Sequence, residues 1–153
     1  MIDLKNSMTL SFSAAAQNEA FARMAVAAFI MPLDPTISEI TDIKTAVSEA
    51  VTNAIIHGYG NNSEKNVVLL CSYENRSVYI EITDYGIGIE DIKQARTPLY
   101  TSAPELERSG LGFTVMETFM DSVDVLSEKG KGTTVRMAKK LMDSDNKNDM
   151  DCR

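Results

Sequence analysis

The chain is poor in residues that hold metals or form cross-links, with two cysteines and a single histidine in 153 residues. Cys71 sits in a strand-like run and Cys152 near the end, and neither has a Cys-x-x-Cys or His-rich surrounding. That spacing argues against a zinc site and reads Cys71 as a small buried hydrophobe and Cys152 as incidental. Basic residues are also scarce: 15 Lys and Arg against 22 Asp and Glu leave a net charge of −7. A phosphate-backbone binder would show a basic face, so direct nucleic-acid binding is not expected. No apolar run approaches the roughly 18 residues of a membrane span. The opening MIDLKNSMTLSF holds only a short, broken apolar stretch, unlike a secretory signal, so a cytoplasmic protein is expected.

What is present is the make-up of one soluble domain: 44% hydrophobic and 24% charged residues, enough for a sizeable core. Met8 to Phe12 alternates as a short strand. Ser13 stands where a helix N-cap belongs, and Phe21, Met24, Ala25, Ala28 and Phe29 recur at helical spacing as one apolar face. Pro32 to Pro35 ends that helix, and Thr36 with Glu39 forms a capping-box pattern opening a second. Its stripe is Ile43, Val47, Ala50 and Ala54, and it stops near His57 and Gly58.

Two strands follow, VVLLCSY and SVYIEITD, turning at Glu74 to Arg76, with Val78, Ile80 and Ile82 on one side. Residues 85–110 hold three glycines and two prolines and little periodicity, so a functional or disordered loop is expected, with residues 90–109 disordered without a ligand or partner. Gly112 to Met120 reads as a helix with Val115, Met116 and Phe119 inward. VDVLSEKGKGTTVRMA then reads as a hairpin turning at Lys129 to Gly132. Residues 1–140 form one domain, and 141–153 are expected to be a polar, disordered tail. Hairpin-type connections predict an α+β fold: a largely antiparallel sheet with helices on one face.

Four segments carry chemistry. In EAVTNAIIHG, Glu49, Asn53 and His57 lie four apart and form a polar ridge beside the apolar stripe. A carboxylate and an amide oxygen on successive turns suit Mg²⁺, directly or through water. The carboxylate is equally suited to take a proton from an attacking hydroxyl, and a solvated helix face is the plain alternative. In ITDYGIGI a strand ends in Asp84, able to accept from an exocyclic amine, before Gly86 and Gly88 let the backbone bend toward a ligand. In RSGLGF, Gly110 and Gly112 precede a helix whose free N–H groups favour an anion, with Arg108 just ahead; a flexible lid end fits equally. In KGKGTT a turn enters a strand at Thr133, whose hydroxyl is able to line a pocket.

Taken in order, Glu49/Asn53, Asp84/Gly86/Gly88, Gly110/Gly112 and Gly130/Gly132/Thr133 resemble the N box and the three glycine boxes of the GHKL ATPases. The element order is similar to the Bergerat fold of that superfamily, a two-layer α/β sandwich with a largely antiparallel mixed sheet, and covers residues 8–140. An acidic chain is able to bind ATP in this way, because Mg²⁺ and aimed N–H groups meet the phosphates locally. The absence of a transducer domain and of a second histidine sets the chain apart from the gyrase-type members and the histidine kinases. A base at Glu49 suits a serine or water acceptor better than an imidazole.

The runs SFSAAAQNEAFARMAVAAF, IKTAVSEAVTNAIIHGY and PLYTSAPELERSGLGFTVMETFMD resemble bacterial anti-sigma factors with serine kinase activity, of the sporulation sigma-F kind. The resemblance implies Glu49 as general base, Asn53 as Mg²⁺ ligand, and Asp84 on the adenine amine with Gly86, Gly88 and Thr133 around the base. It also implies Gly110 and Gly112 around the phosphates of ATP or ADP and Arg108 on the γ-phosphoryl group. The implied partners are a sigma-F-type factor, an anti-anti-sigma protein carrying the substrate serine, and a second copy in a homodimer. Glu19 and Arg23 would contact a partner, although four residues apart they equally suit an ion pair. A general-stress anti-sigma-B kinase, a non-catalytic ATP-gated binding module and a detached ATPase fragment are the alternatives.

Overall fold

The computed structural model describes residues 4–97 and 112–143. Its elements run β1 (Lys5–Ser13), α1 (Gln17–Phe29), α2 (Ile37–Asn53), β2 (Asn66–Glu74), β3 (Ser77–Asp84), α3 (Ile92–Ala95), α4 (Gly112–Phe119), β4 (Ser122–Glu128) and β5 (Gly132–Lys140). The short helix α3 lies inside the segment expected to be a loop. Five strands form one sheet in the order β1-β2-β3-β5-β4, and each neighbouring pair is antiparallel.

Alternation along each strand places one apolar side chain per rung on the same face. One rung joins Leu10, Leu69, Ile82, Val135 and Val125, and another Met8, Cys71, Ile80, Met137 and Val123. Helices α1, α2 and α4 cover this face, with α2 packed between the other two. Ile43, Val47, Ala50 and Ala54 of α2 and its following turn are all buried, as their spacing predicts. The opposite face is open and carries Tyr79, Leu70 and Leu126 beside the Glu81–Arg136 ion pair.

Helix α1 departs from the sequence reading in two ways. Ser13 is the last residue of β1 and not the cap; its carbonyl accepts from the Asn18 amide at 2.8 Å, and Ala16 precedes the helix without a side-chain cap. The buried face is Ala22, Val26 and Ala27, continuing into Ile30, whereas Phe21 and Met24 are about half exposed. The physical reason is close packing: small and β-branched side chains let α1 approach α2, and the larger residues are displaced to the rim. Phe21 there meets Phe12 edge-on, with ring centroids 6.3 Å apart. In α4, Met116 is fully buried while Val115 and Phe119 are only partly so.

The predicted capping box is formed: Glu39 N donates to Thr36 Oγ1 at 3.1 Å and Thr36 N to Glu39 Oε1 at 2.9 Å. Glu39 does more than cap, because its other oxygen accepts from Met142 N at 2.8 Å. Arg76 grips the same region, donating to the carbonyls of Leu33 and Met142. The core accordingly reaches past residue 140: Leu141 is 1% exposed and its N–H donates to Arg76 O. Replacing Glu39 by alanine strands two backbone donors at a buried position. It should lower unfolding free energy by about 2–3 kcal/mol, read as an earlier urea midpoint with unchanged slope.

Candidate functional site

Helix α2 does not end in a simple cap. Its last turn widens into a single π-type turn over Ala54–Gly58, from which Tyr59 N and Gly60 N still donate to Ala54 O and Ile56 O. Such turns often mark functional positions because they shift the side-chain phase. Here the widened turn delivers Gly58 against the end of β3. A Cβ at Gly58 would lie 2.4 Å from Asp84 Cγ, and one at Gly86 would lie 1.8 Å from Gly58 O. Only glycine permits that double approach. Ile87 N donates to Gly58 O at 3.1 Å and Tyr85 N to the Tyr59 hydroxyl at 2.7 Å, so the loop after β3 is tied to the end of the helix. The Tyr59 hydroxyl donates in turn to Asn66 O, also at 2.7 Å.

These contacts frame a cavity of about 750 Å³ between α2, the ends of β3, β4 and β5, and α3 and α4. The volume lies within the range of small-molecule sites. Of the residues singled out from the sequence, Asn53, His57, Asp84, Gly88, Gly112 and Thr133 line it. Gly86 is not among the lining residues, and its N–H donates to Asp84 Oδ1 at 3.0 Å. Glu49, half-buried one turn before Asn53, is not among the lining residues, although its neighbour Ala50 is; nor is it free of partners. Arg108 and Gly110 lie outside the described residues. Gly88 has φ 75°, the left-handed conformation its place in the turn requires.

Asp84 is the electrostatic centre. It is 4% exposed, and burial raises its carboxyl pKa from 3.8 to about 6, opposed by hydrogen bonds from Gly86 N–H and Thr133 N–H. Those two donors account for part of its accepting capacity and leave the rest for a ligand. A buried acceptor at the base of a cavity suits a ligand edge that carries an N–H donor. Among the described residues no cluster of three or more His, Cys, Asp or Glu is placed to hold a metal. Asn53 supplies one hard oxygen at most, which suits a cation that arrives mainly on its ligand's phosphates.

Sequence reasoning passed over several contributors. Arg96, at the end of α3, also lines the cavity; its guanidinium pairs with Glu117 of α4 and donates to Val123 O, closing one wall. Ser127, Tyr59 and Gly58 also contribute, although the sequence marks them only as parts of a strand, a turn and a helix end. For Ser127 the signal was available: Val123, Val125 and Ser127 share one phase of an alternating strand, and the last of them is polar. Glu19 and Arg23 form the expected ion pair on α1 at 2.6 Å, far in sequence from the cavity-lining residues. No helix among the described residues is long and apolar enough to cross a membrane.

The model of the histidine kinase-like ATPase domain family matches residues 12–139. A protein of Clostridium perfringens called anti-sigma F factor is 61% identical over 90% of this chain and 99% of its own length. Proteins of the same name from Oceanobacillus iheyensis and Clostridium botulinum are 57% and 63% identical over 92% and 90% of this chain, covering 97% and 96% of their own lengths. A solved structure of the RsbU and RsbW domains of a Mycobacterium tuberculosis protein superimposes with TM-score 0.63 at 18% identity. The match covers 89% of this chain and 32% of that one, and it shows the fold. With identities this high across nearly the whole length, and with the family model matching residues 12–139, the chain belongs to the anti-sigma F factor family of histidine kinase-like ATPase domains.

Proposed function

We propose that the chain binds Mg-ATP in this cavity, transfers the γ-phosphoryl group to a serine of an anti-anti-sigma protein, and holds a sigma-F-type sigma factor inactive. The observation that carries the nucleotide reading is the convergence of Asn53, Asp84, Gly88, Gly112 and Thr133 on one cavity, though they come from four separate elements and a loop. Asp84 suits the exocyclic amine of adenine, with Gly88 and Thr133 beside the base and Gly86 bracing the carboxylate. Asn53, near the start of the widened turn, suits the magnesium ion carried by the phosphates. The N-terminus of α4 at Gly112, with Gly110 and Arg108 ahead of it, suits the phosphate chain and the charge on the transferring group. ADP would occupy the same base contacts.

Glu49 is assigned as the base for the incoming serine hydroxyl. Its place on α2 one turn before Asn53 suits this role, and the acceptor hydroxyl arrives on another protein. The second reading is a non-catalytic module in which ATP only orders the partner surface. Partner binding is assigned to the α1 face carrying the Glu19–Arg23 pair, with Phe21 and Met24 exposed beside it, and the working unit to a homodimer in the cytoplasm. Whether the sigma partner is of the sigma-F or the general-stress kind rests on the relatives' names.

A pull-down with candidate sigma and anti-anti-sigma proteins, in Mg-ATP and then Mg-ADP, tests the whole reading. Capture of the sigma factor and phosphorylation of a serine on the other partner are expected. Capture of neither, or no heat on titrating magnesium nucleotide into the folded chain, overturns it.

A further inference from the structure

The polar residues of the cavity floor lie on one rung of the sheet. Asp84 of β3 pairs with Thr133 of β5, and Thr133 pairs with Ser127 of β4. Each ends the inward phase of its strand, after Ile82 in β3 and Val125 in β4, and before Val135 in β5. An otherwise apolar face thus finishes in a row of carboxylate, hydroxyl and hydroxyl at the cavity, and both Thr133 and Ser127 line it.

One set of directions satisfies every hydrogen-bond contact of this row. Ser127 Oγ receives Ile89 N–H at 2.7 Å, lies 3.0 Å from Gly132 O and 2.7 Å from Thr133 Oγ1. A carbonyl oxygen only accepts, so the single Ser127 hydrogen goes to Gly132 O. With that hydrogen on Gly132 O, the bond between the two hydroxyls, in which either oxygen is able to donate, runs from Thr133 O–H to Ser127 Oγ. Thr133 has no hydrogen left, and its remaining lone-pair capacity is all that it offers the cavity. Asp84, when ionised, likewise only accepts.

We infer that Ser127 is a specificity-determining residue: by capturing the Thr133 hydrogen it makes the cavity floor an acceptor-only edge, which selects a purine bearing a 6-amino group over one bearing a 6-oxo group. The inference rests on the nucleotide reading above and adds to it the reason for the base preference. A 6-amino group carries two hydrogens for this edge, whereas a 6-oxo oxygen would face lone pairs. Without Ser127 the Thr133 hydroxyl is free to turn its hydrogen into the cavity and donate to that oxygen. Ser127 acts through Thr133 and through the bond that holds Ile89, and so is a positioning residue.

The test is calorimetric titration of Mg-ATP and Mg-ITP into the full chain, its fold checked by circular dichroism. In Ser127→Ala the ATP:ITP affinity ratio should fall roughly tenfold, the worth of about one hydrogen bond gained or lost. Ser127→Thr, which keeps the hydroxyl, should hold the wild-type ratio, and Ser127→Cys, a poor donor and acceptor, should lower it. In a Thr133→Val background the Ser127→Ala change should leave the ratio where Thr133→Val put it. A merely structural Ser127 would weaken both nucleotides equally and leave the ratio unchanged, which overturns the inference while the nucleotide reading stands. Wild-type protein that binds neither nucleotide overturns both. Should Ser127→Ala fail to fold, the Ser127→Cys ratio decides in the same way.

Discussion

Replacing Glu49 by glutamine is expected to lower phosphoryl transfer to the anti-anti-sigma serine by about 10²–10⁴-fold and to leave Mg-ATP affinity intact. The expectation joins two facts. The side chain is not among the described residues that line the cavity, and glutamine keeps its size and shape. A serine hydroxyl is a weak nucleophile and loses its proton to a positioned base in the transition state, a role that an amide of the same shape is unable to fill. Single-turnover transfer of labelled phosphate, run beside calorimetric ATP titration, separates the two effects. Transfer at the wild-type rate in the variant would remove Glu49 from the chemistry. A wild-type chain that binds nucleotide and sigma factor but transfers nothing would favour the non-catalytic module.

Asp84→Asn should weaken ATP binding by between about tenfold and a hundredfold, the range for losing a hydrogen bond to a buried charged group. Asparagine has one acceptor oxygen where the carboxylate has two. The N–H groups of Gly86 and Thr133 already need oxygen acceptors, so the new NH₂ faces either a backbone donor or the ligand amine. The pH dependence follows from the raised pKa. In the free protein Asp84 titrates near 6, and accepting from an amine favours the ionised form. ATP affinity should therefore rise with pH and level off above about 7, being roughly tenfold weaker at pH 5. Asp84→Asn should flatten that profile.

The same residue contributes to folding with the opposite trend. Its folded pKa of about 6 exceeds the ordinary value of 3.8. Between these values the folded chain keeps a proton that the unfolded chain has released, so acidification through the window favours the fold. Raising the pH through it costs about 3 kcal/mol, from the two-unit shift. The difference in urea midpoint between wild type and Asp84→Asn at pH 4 and pH 7 isolates this contribution, because the other carboxyl groups are common to both. An unchanged difference would show that burial does not raise this pKa.

Much of the site was legible because its residues stand at element ends. Asp84 follows three inward apolar residues on a clean alternation, and Gly86 and Gly88 follow it at turn spacing. Asn53 lies on a helix whose apolar stripe is unambiguous, which fixes the side from which it approaches the core. Helix α1 was misread because periodicity weighs residues by size. Phe21 and Met24 dominate the pattern, yet the narrow space against α2 admits Ala22, Val26 and Ala27. The role of Gly58 was hidden for another reason: its need for glycine comes from the Asp84 carboxylate, 26 positions further along the chain.

Local pattern alone determined the main helices and strands of this protein and which strand face is apolar. It did so because those properties depend on neighbours within a few positions. Tertiary structure alone decided that Asp84, Thr133 and Ser127 share a rung, that the widened end of α2 meets the loop after β3, and that Asn53 reaches the same cavity as Asp84. Those outcomes depend on strand register and helix rotation set by the whole core, where a shift of one residue in β5 would turn Thr133 to the opposite face.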